Sequence, residues 1–262
     1  MNFFLLQHYI SHLFTSGYKN GHGIHSPFAY AFFRNVLFNK TKTDNILVIK
    51  KVRKELLKSK VVLETSTAGE PSKVFKSKYR SVSGLVKHTA TKERIGLILN
   101  NLVSFYNLKQ AVELGTSVGL GAIYLASGNA GVKVQTIEYC RNTADFAGSV
   151  FKANNITNIQ LFNNVFEAVF PEIMRLNNSV DMVYIDGNHN FNSTMYYFNL
   201  CKNFGKDHLI VVFDDIYWSS EMLNAWKTII KDLRVTLSID LFYCGIVFFN
   251  PELTKKHYKV KL

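Results

Sequence analysis

A chain of 262 residues with 47% hydrophobic and 14% aromatic side chains has apolar surface for one well-filled core plus an appendage, which excludes an intrinsically disordered chain. Its longest apolar runs, such as Leu209 to Phe213, fall short of the roughly 18 residues that a membrane-spanning helix needs. The formal charge of +12 is uneven, with 14 Lys and Arg against 4 Asp and Glu in residues 1–80 and 17 against 15 in residues 81–262; the basic third would attract an acidic acceptor, nucleic acid or an anionic membrane face, or simply be a solvated surface.

The first segment, Met1 to Phe14, is apolar but interrupted by Gln7, His8 and His12, and lacks a basic leader and a cleavage site. It reads as an amphipathic helix, with a signal peptide or membrane-surface anchor as the alternatives. His22 and His25 precede Ser26-Pro27, where an N-cap serine and a proline at the first helical position start a helix to about Phe38. The two histidines either line an acceptor pocket or belong to a structural loop. A second helix spans about Asp44 to Ser59, and Thr65 to Ser83, rich in Ser, Thr, Gly and Lys, reads as a mobile connector. Thr91 is placed to cap a helix through Tyr106, with Glu93 in its first turn.

From Gln110 onward β-type runs alternate with helical patterns: Gln110–Leu114, Lys133–Glu138, Ile159–Phe162, Val180–Ile185 and His208–Phe213. Such alternation implies right-handed βαβ units and a parallel sheet covered on both faces. The last two runs, Val235–Leu241 and Tyr243–Phe249, are too close for a crossover helix and must pair antiparallel. The expected fold is α/β, a Rossmann-like, mostly parallel seven-stranded sheet with an antiparallel last hairpin, over about residues 84–262, with a basic helical extension over 1–83. Cys140, Cys201 and Cys244 lie in or beside apolar segments without metal-site spacing, the pattern of free thiols in a reduced, cytoplasmic protein.

The first strand ends in Glu113-Leu114-Gly115-Thr116-Ser117-Val118-Gly119-Leu120-Gly121. Glycines there remove the Cβ atoms that would keep a ligand off a strand-to-helix turn. Their Gly-x-x-x-Gly-x-Gly spacing differs from the Gly-x-Gly-x-x-Gly of dinucleotide sites. The second strand ends in Glu138-Tyr139, where a carboxylate can accept two ribose hydroxyls and an aromatic face can pack on adenine. The fourth and fifth strands lead into Asp186-Gly187-Asn188-His189 and Asp214-Asp215-Ile216-Tyr217-Trp218, carboxylates at the sheet edge where ligands of open α/β sheets bind. Three convergent carboxylates, Asp186, Asp214 and Asp215, would form a hard oxygen cluster suited to Mg²⁺, Mn²⁺ or Ca²⁺.

These segments, about Gln110 to Trp218, resemble the catechol and caffeoyl-CoA type of metal-dependent O-methyltransferases, which are class I S-adenosylmethionine enzymes. The resemblance implies cofactor binding by the loop of Glu113, Gly115, Thr116, Ser117, Gly119 and Gly121, by Glu138 and Tyr139, and by positions matching Asn164 and Phe166, with Asp186 also near the cofactor. It implies metal ligation by Asp186, Asp214 and Asp215, although the last is Asp where the family has Asn. The family's catalytic lysine is replaced by His189, an imidazole suited to take a proton near neutral pH, or else a neighbour of a helix cap. The Gly-His loop at residues 22–28, with the Asp-Gly-Asn-His and Asp-Asp-Ile-Tyr-Trp-Ser segments, is similar to uncharacterised bacterial methyltransferases with a helical amino-terminal extension. The function implied is methyl transfer from S-adenosyl-L-methionine to an oxygen of a small-molecule acceptor, assisted by a divalent cation. Tyr217 and Trp218 are candidates for an acceptor wall or for core packing. The competing readings are an RNA or other N-methyltransferase using the basic extension, a dinucleotide-dependent oxidoreductase, and a non-catalytic binding module on the same fold. The four prolines include no Pro-Pro pair, so the Asn/Asp-Pro-Pro-Tyr pattern of amino-methylating enzymes is missing.

Overall fold

In a computed structural model, residues 3–18, 23–39, 44–66, 77–176 and 179–261 are described. Two compact units form, Met1–Phe38 with Ile173–Leu262, and Asn39–Glu172. Eight strands make a mostly parallel sheet, with a separate two-stranded ribbon beside it in the chain order.

The chain begins with helix α1 (Phe3–Thr15). Helix α2 (Pro27–Phe32) follows and continues as a π-helical turn, Phe33–Leu37. Ser26 caps α2 as its sequence predicts, its hydroxyl accepting from the Ala29 N–H at 3.3 Å. Phe32, Phe33 and Val36 are fully buried, and Phe28 and Phe32 each meet the Phe248 ring edge-on at 5.4 Å. Helix α2 and its π-helical turn therefore belong to the core of this unit.

The unit Asn39–Glu172 contains α3 (Asp44–Lys58), β1 (Val62–Glu64), β2 (Tyr79–Ser81), α4 (Val82–His88), α5 (Glu93–Phe105), β3 (Gln110–Leu114), α6 (Leu120–Ala126), β4 (Lys133–Glu138), α7 (Arg141–Ala153) and β5 (Ile159–Asn163). Helix α8 (Phe166–Leu176) starts in it. The expected connector over 65–83 is in part ordered: β1 and β2 pair antiparallel, Val62 with Ser81 through Glu64 with Tyr79. Lys78 closes the ribbon through Glu64 at 2.6 Å. Three-residue strands are too short to show a period-2 pattern, so composition alone read the segment as loop. Residues 67–76 lie outside the described residues. Helix α5 starts one residue later than expected: its N-cap is Lys92, without a side-chain capping bond, while the Thr91 carbonyl accepts from Arg53 at 2.8 Å. Strands β3, β4 and β5 run parallel with β4 in the middle. This pairing sets the carboxyl ends Leu114, Glu138 and Asn163 side by side.

The other unit resumes with β6 (Met182–Ile185), α9 (Phe191–Phe204), β7 (Ile210–Asp214), α10 (Ser220–Ile229), β8 (Leu237–Asp240), β9 (Cys244–Phe248) and β10 (Lys256–Lys259). Strands β6 and β7 are parallel, and β9 lies antiparallel to both β7 and β8, the expected hairpin. An eighth strand, β10, corrects the expected count of seven: it pairs parallel to β8 along Lys256–Lys259. Its sequence, Lys-His-Tyr-Lys, hides the strand because only Tyr258 turns a large apolar group inward, as an edge strand permits. Cys140, Cys201 and Cys244 are buried thiols rather than members of disulfides.

Candidate active site

In the unit Asn39–Glu172, the turn from β3 to α6 is built on three left-handed residues, Gly115 (φ 104°), Ser117 (φ 49°) and Gly119 (φ 87°). A Cβ on Gly119 would also fall 2.6 Å from the Phe151 ring, so this position needs glycine on both counts. The Gly115 N–H donates to the Ile137 carbonyl at 3.0 Å, tying the turn to β4. The Ser117 N–H donates to Glu138 Oε2 and the Cys140 N–H to Oε1, each at 2.9 Å. Glu138 thus joins the glycine turn to the start of α7. Burial raises its carboxyl above the ordinary range, opposed by the amides of Cys140, Ser117 and Tyr139. Each carboxylate oxygen keeps a second lone pair for a hydroxyl pair.

Glu113 lies on β3, one residue before its end. It is fully buried, and its Oε2 accepts from the Thr136 hydroxyl at 2.6 Å. Thr136 in turn lies 2.6 Å from the Thr116 hydroxyl; since Thr136 spends its one proton on Glu113, Thr116 is the donor to Thr136. The chain Thr116–Thr136–Glu113 anchors the turn from beneath. Burial, with the charge of Glu138 adding and the Thr136 bond subtracting, pushes the Glu113 carboxyl up to about 8, so it is mostly the neutral acid at pH 7. A folded-state value above the unfolded one means that this group favours folding below pH 4.5 and loses that contribution as pH rises toward about 8. Gly121 belongs to the same packing: a Cβ there would fall 2.1 Å from Glu113 Oε1. It makes room for the buried acid.

Tyr139 is 41% exposed, free to offer a ring face. Asn163, which sequence reasoning passed over, donates from Nδ2 to the Glu138 and Tyr139 carbonyls, both at 2.9 Å, and so fixes the end of β4. Asn164 bonds the Val165 N–H through Oδ1, and Phe166 is buried at the start of α8. The β1–β2 ribbon also reaches this strand end. Asn142 donates to the Glu64 carbonyl at 2.9 Å, and the Ser66 N–H meets Cys140 Sγ at 3.3 Å. Burial works to raise the Cys140 thiol, but hydrogen bonds from Thr143 and Ser66 outweigh it and hold the thiol below its ordinary value.

In the unit Met1–Phe38 with Ile173–Leu262, Asp186 follows β6. Its Oδ2 accepts from the Tyr184 hydroxyl at 3.1 Å, and its Oδ1 lies 3.7 Å from His189 Nε2. Asn190 caps α9, accepting from the Ser193 N–H at 2.9 Å, and Asn188 holds the Tyr197 hydroxyl at 2.8 Å. The turn carrying His189 is therefore fixed on both sides. Asp214 ends β7, and Asp215 leaves it in a left-handed conformation (φ 51°) with its N–H on the Tyr243 carbonyl at 2.7 Å.

Among the described residues no three His, Cys, Asp or Glu side chains come together as a metal-holding group. Asp186, Asp214 and Asp215 are not brought together as such a group. Consecutive residues at a strand end point to opposite sides, the left-handed turn at Asp215 redirects the chain, and Asp186 is engaged by Tyr184 and His189. His25 is exposed, and His22 lies outside the described residues.

The Asp214–Trp218 turn is fastened by a buried group that sequence reasoning missed. Tyr217 donates to Asp240 Oδ2 at 2.7 Å, and the Phe242 N–H donates to Oδ1 at 2.9 Å. His12 Nε2 lies 3.1 Å from the same Oδ1. Tyr217 stacks on Phe242 with centroids 4.8 Å apart. Tyr217 is 6% exposed, so it supports the turn as core, while Trp218 is half-buried.

Residues 112–216 match a family described as a methyltransferase domain. An uncharacterised protein of Acanthamoeba polyphaga mimivirus is 28% identical over 153 residues, 52% of this chain and 67% of that protein. Among solved structures, an O-methyltransferase from Bacillus cereus in complex with SAH is 18% identical, with a TM-score of 0.53 over 83% of this chain and 94% of that one. An O-methyltransferase from Streptomyces achromogenes involved in tomaymycin synthesis, in complex with SAM, is 15% identical, with a TM-score of 0.55 over 83% and 92%. The SAH-bound methyltransferase of Podospora anserina is 12% identical, with a TM-score of 0.57 over 86% and 96%. Residues 112–216 therefore carry a match to a methyltransferase domain, and the mostly parallel sheet shares the Rossmann-like fold of these methyltransferase structures.

Proposed function

We propose that the chain transfers the methyl group of S-adenosylmethionine to a hydroxyl oxygen of a small-molecule acceptor, with residues 84–262 as the catalytic part. The observation that carries the cofactor site is Glu138, a half-buried carboxylate held by the glycine turn and by α7 at the end of the second parallel strand. The bound cofactor would supply an electrophilic methyl on a sulfonium centre. Glu138 is suited to accept the ribose hydroxyls, Tyr139 to cover the adenine, and the turn at Gly115–Gly119 to admit the rest without Cβ obstruction. Asn164 and Phe166 remain proposed neighbours of the base.

Oxygen acceptors are supported by the O-methyltransferase names of the similar structures from Bacillus cereus and Streptomyces achromogenes, and by the Asp186–His189 pair. When an acceptor hydroxyl attacks the methyl, its proton must leave. His189 is the base we assign to it, with Asp186 orienting the imidazole and stabilising its charged form. No step is routed through a cation.

The test is transfer of labelled methyl from S-adenosylmethionine to a panel of phenols and hydroxy acids, run with and without excess EDTA. Labelled ether or ester product that is undiminished by EDTA is expected. Label only on amines would overturn the oxygen acceptor, and loss with EDTA that Mg²⁺ or Mn²⁺ restores would show that a divalent cation takes part.

A further inference from the structure

We propose that α1 is an interfacial helix that lays an apolar stripe on an anionic lipid surface, with the lysines of the adjoining β10 edge meeting the headgroups. Phe3, Leu6, Ile10 and Phe14 recur at spacings of three and four residues and are 79%, 37%, 45% and 86% exposed. At 100° per residue they form one continuous stripe. Gln7, Ser11 and Thr15, also exposed, form a polar stripe beside it. The opposite face is the one that docks, through buried His12 on Asp240 and through Tyr9, whose ring meets Phe242 edge-on at 5.0 Å. The apolar stripe is therefore not the face that builds the core, and α1 carries no Asp, Glu, Lys or Arg.

The charge beside this stripe selects the partner. The Gly17 N–H donates to the Lys259 carbonyl at 3.0 Å, and Gly17 bridges Val260, so the chain leaving α1 runs along β10. Residues 255–261 hold Lys255, Lys256, Lys259 and Lys261 without an acid. Lys255 is tied to the Asp232 and Val235 carbonyls, while Lys256 and Lys261 are exposed and Lys259 half-buried. His8, in the middle of α1, is pushed below its ordinary range by burial and then by Lys227 and Lys259, which puts both ammonium groups near the helix. An apolar stripe and a polybasic edge are the two signals that together hold a protein on an anionic membrane where either alone is weak. A second copy is a poorer occupant. A two-fold contact through the stripe would bring two lysine edges together, and the helix has no flanking charges to set a register.

Flotation of the full chain with vesicles tests this. The wild type should float with phosphatidylglycerol–phosphatidylcholine vesicles, stay behind with phosphatidylcholine alone, and be released by salt. Phe3→Ser/Ile10→Ser/Phe14→Ser, all at exposed sites, should cut partitioning at least tenfold. Lys256→Gln/Lys259→Gln/Lys261→Gln should weaken it about fivefold per lysine. Both variants should bind S-adenosylhomocysteine as the wild type does, which shows that they fold and separates this result from the fate of the methyltransferase reading. Wild type that stays behind with anionic vesicles, or a triple serine variant that floats unchanged, would overturn the proposal. So would a wild-type dimer in sedimentation that the serine variant dissociates, because the occupant would then be a second copy.

Discussion

Asp240→Ala is expected to destabilise the protein by roughly 3–5 kcal/mol, the cost of breaking a buried, hydrogen-bonded charge group by removing one side. The carboxylate takes three donors, the Tyr217 hydroxyl, the Phe242 N–H and His12 Nε2, and is 2% exposed. Alanine would leave all three without their acceptor in a site closed to water. Burial by itself works to raise this carboxyl, but the bonds from His12, Phe242 and Tyr217 prevail and hold it below its ordinary value. An ionised carboxylate only accepts, so His12 Nε2 carries the proton between them. With the folded value depressed, the stabilisation is full above the unfolded value near 3.8 and is lost as pH falls through the folded one. Denaturant melts of the wild type and of Asp240→Ala at pH 7 check the size. The variant should also lose part of the stability difference between pH 5 and pH 2. A change under 1 kcal/mol at pH 7 would mean that the three donors find other partners.

His189→Ala is expected to lower the rate of methyl transfer by about 10²–10⁴, the range for removing a positioned proton acceptor. The imidazole is presented by a turn fixed at Asn188 and Asn190, and its Nε2 lies 3.7 Å from Asp186, a separation that shortens to a hydrogen bond once charge develops on the ring. Asp186→Asn should cost less, because it keeps the shape and removes only the charge that favours the imidazolium. The readout that a merely structural role would not move is the pH–rate profile: the limb that a proton-accepting imidazole gives to the wild type should be missing from the alanine variant. Full turnover in His189→Ala with unchanged S-adenosylhomocysteine binding would remove the base and leave positioning as the mechanism.

The strand boundaries were legible because Val-, Ile- and Phe-rich runs end abruptly at the charged or amide residues Glu138, Asn163 and Asp214, where a buried sheet meets its edge. The glycine turn was legible because Gly115 and Gly119 occupy left-handed conformations that penalise a Cβ. What escaped depends on partners distant in the chain. His12 and Asp240 are 228 residues apart, and no local pattern announces a pair of that kind. Glu113 carries the residue type of a cofactor ligand, yet only the side-chain chain through Thr136 and Thr116 shows that it supports the turn from below. A left-handed residue at Asp215 is invisible in a sequence that offers Asp where Gly or Asn would be usual. The edge strand β10 escaped for a similar reason, being mostly charged outside and held by pairing with β8.

The central claim is that Glu138, joined to the glycine turn, holds the cofactor, and calorimetric titration with S-adenosylhomocysteine tests it most directly. The wild type should bind with measurable heat, and Glu138→Ala should weaken binding by roughly 1.5–3 kcal/mol, the scale of hydrogen bonds to a charged group, about ten- to 150-fold in Kd. Because Glu138 also accepts the Ser117 and Cys140 amides, Glu138→Gln is measured alongside; it can keep one of these bonds and should fall between the two. Absence of heat for the wild type at millimolar ligand, or equal affinity in Glu138→Ala, would contradict the account.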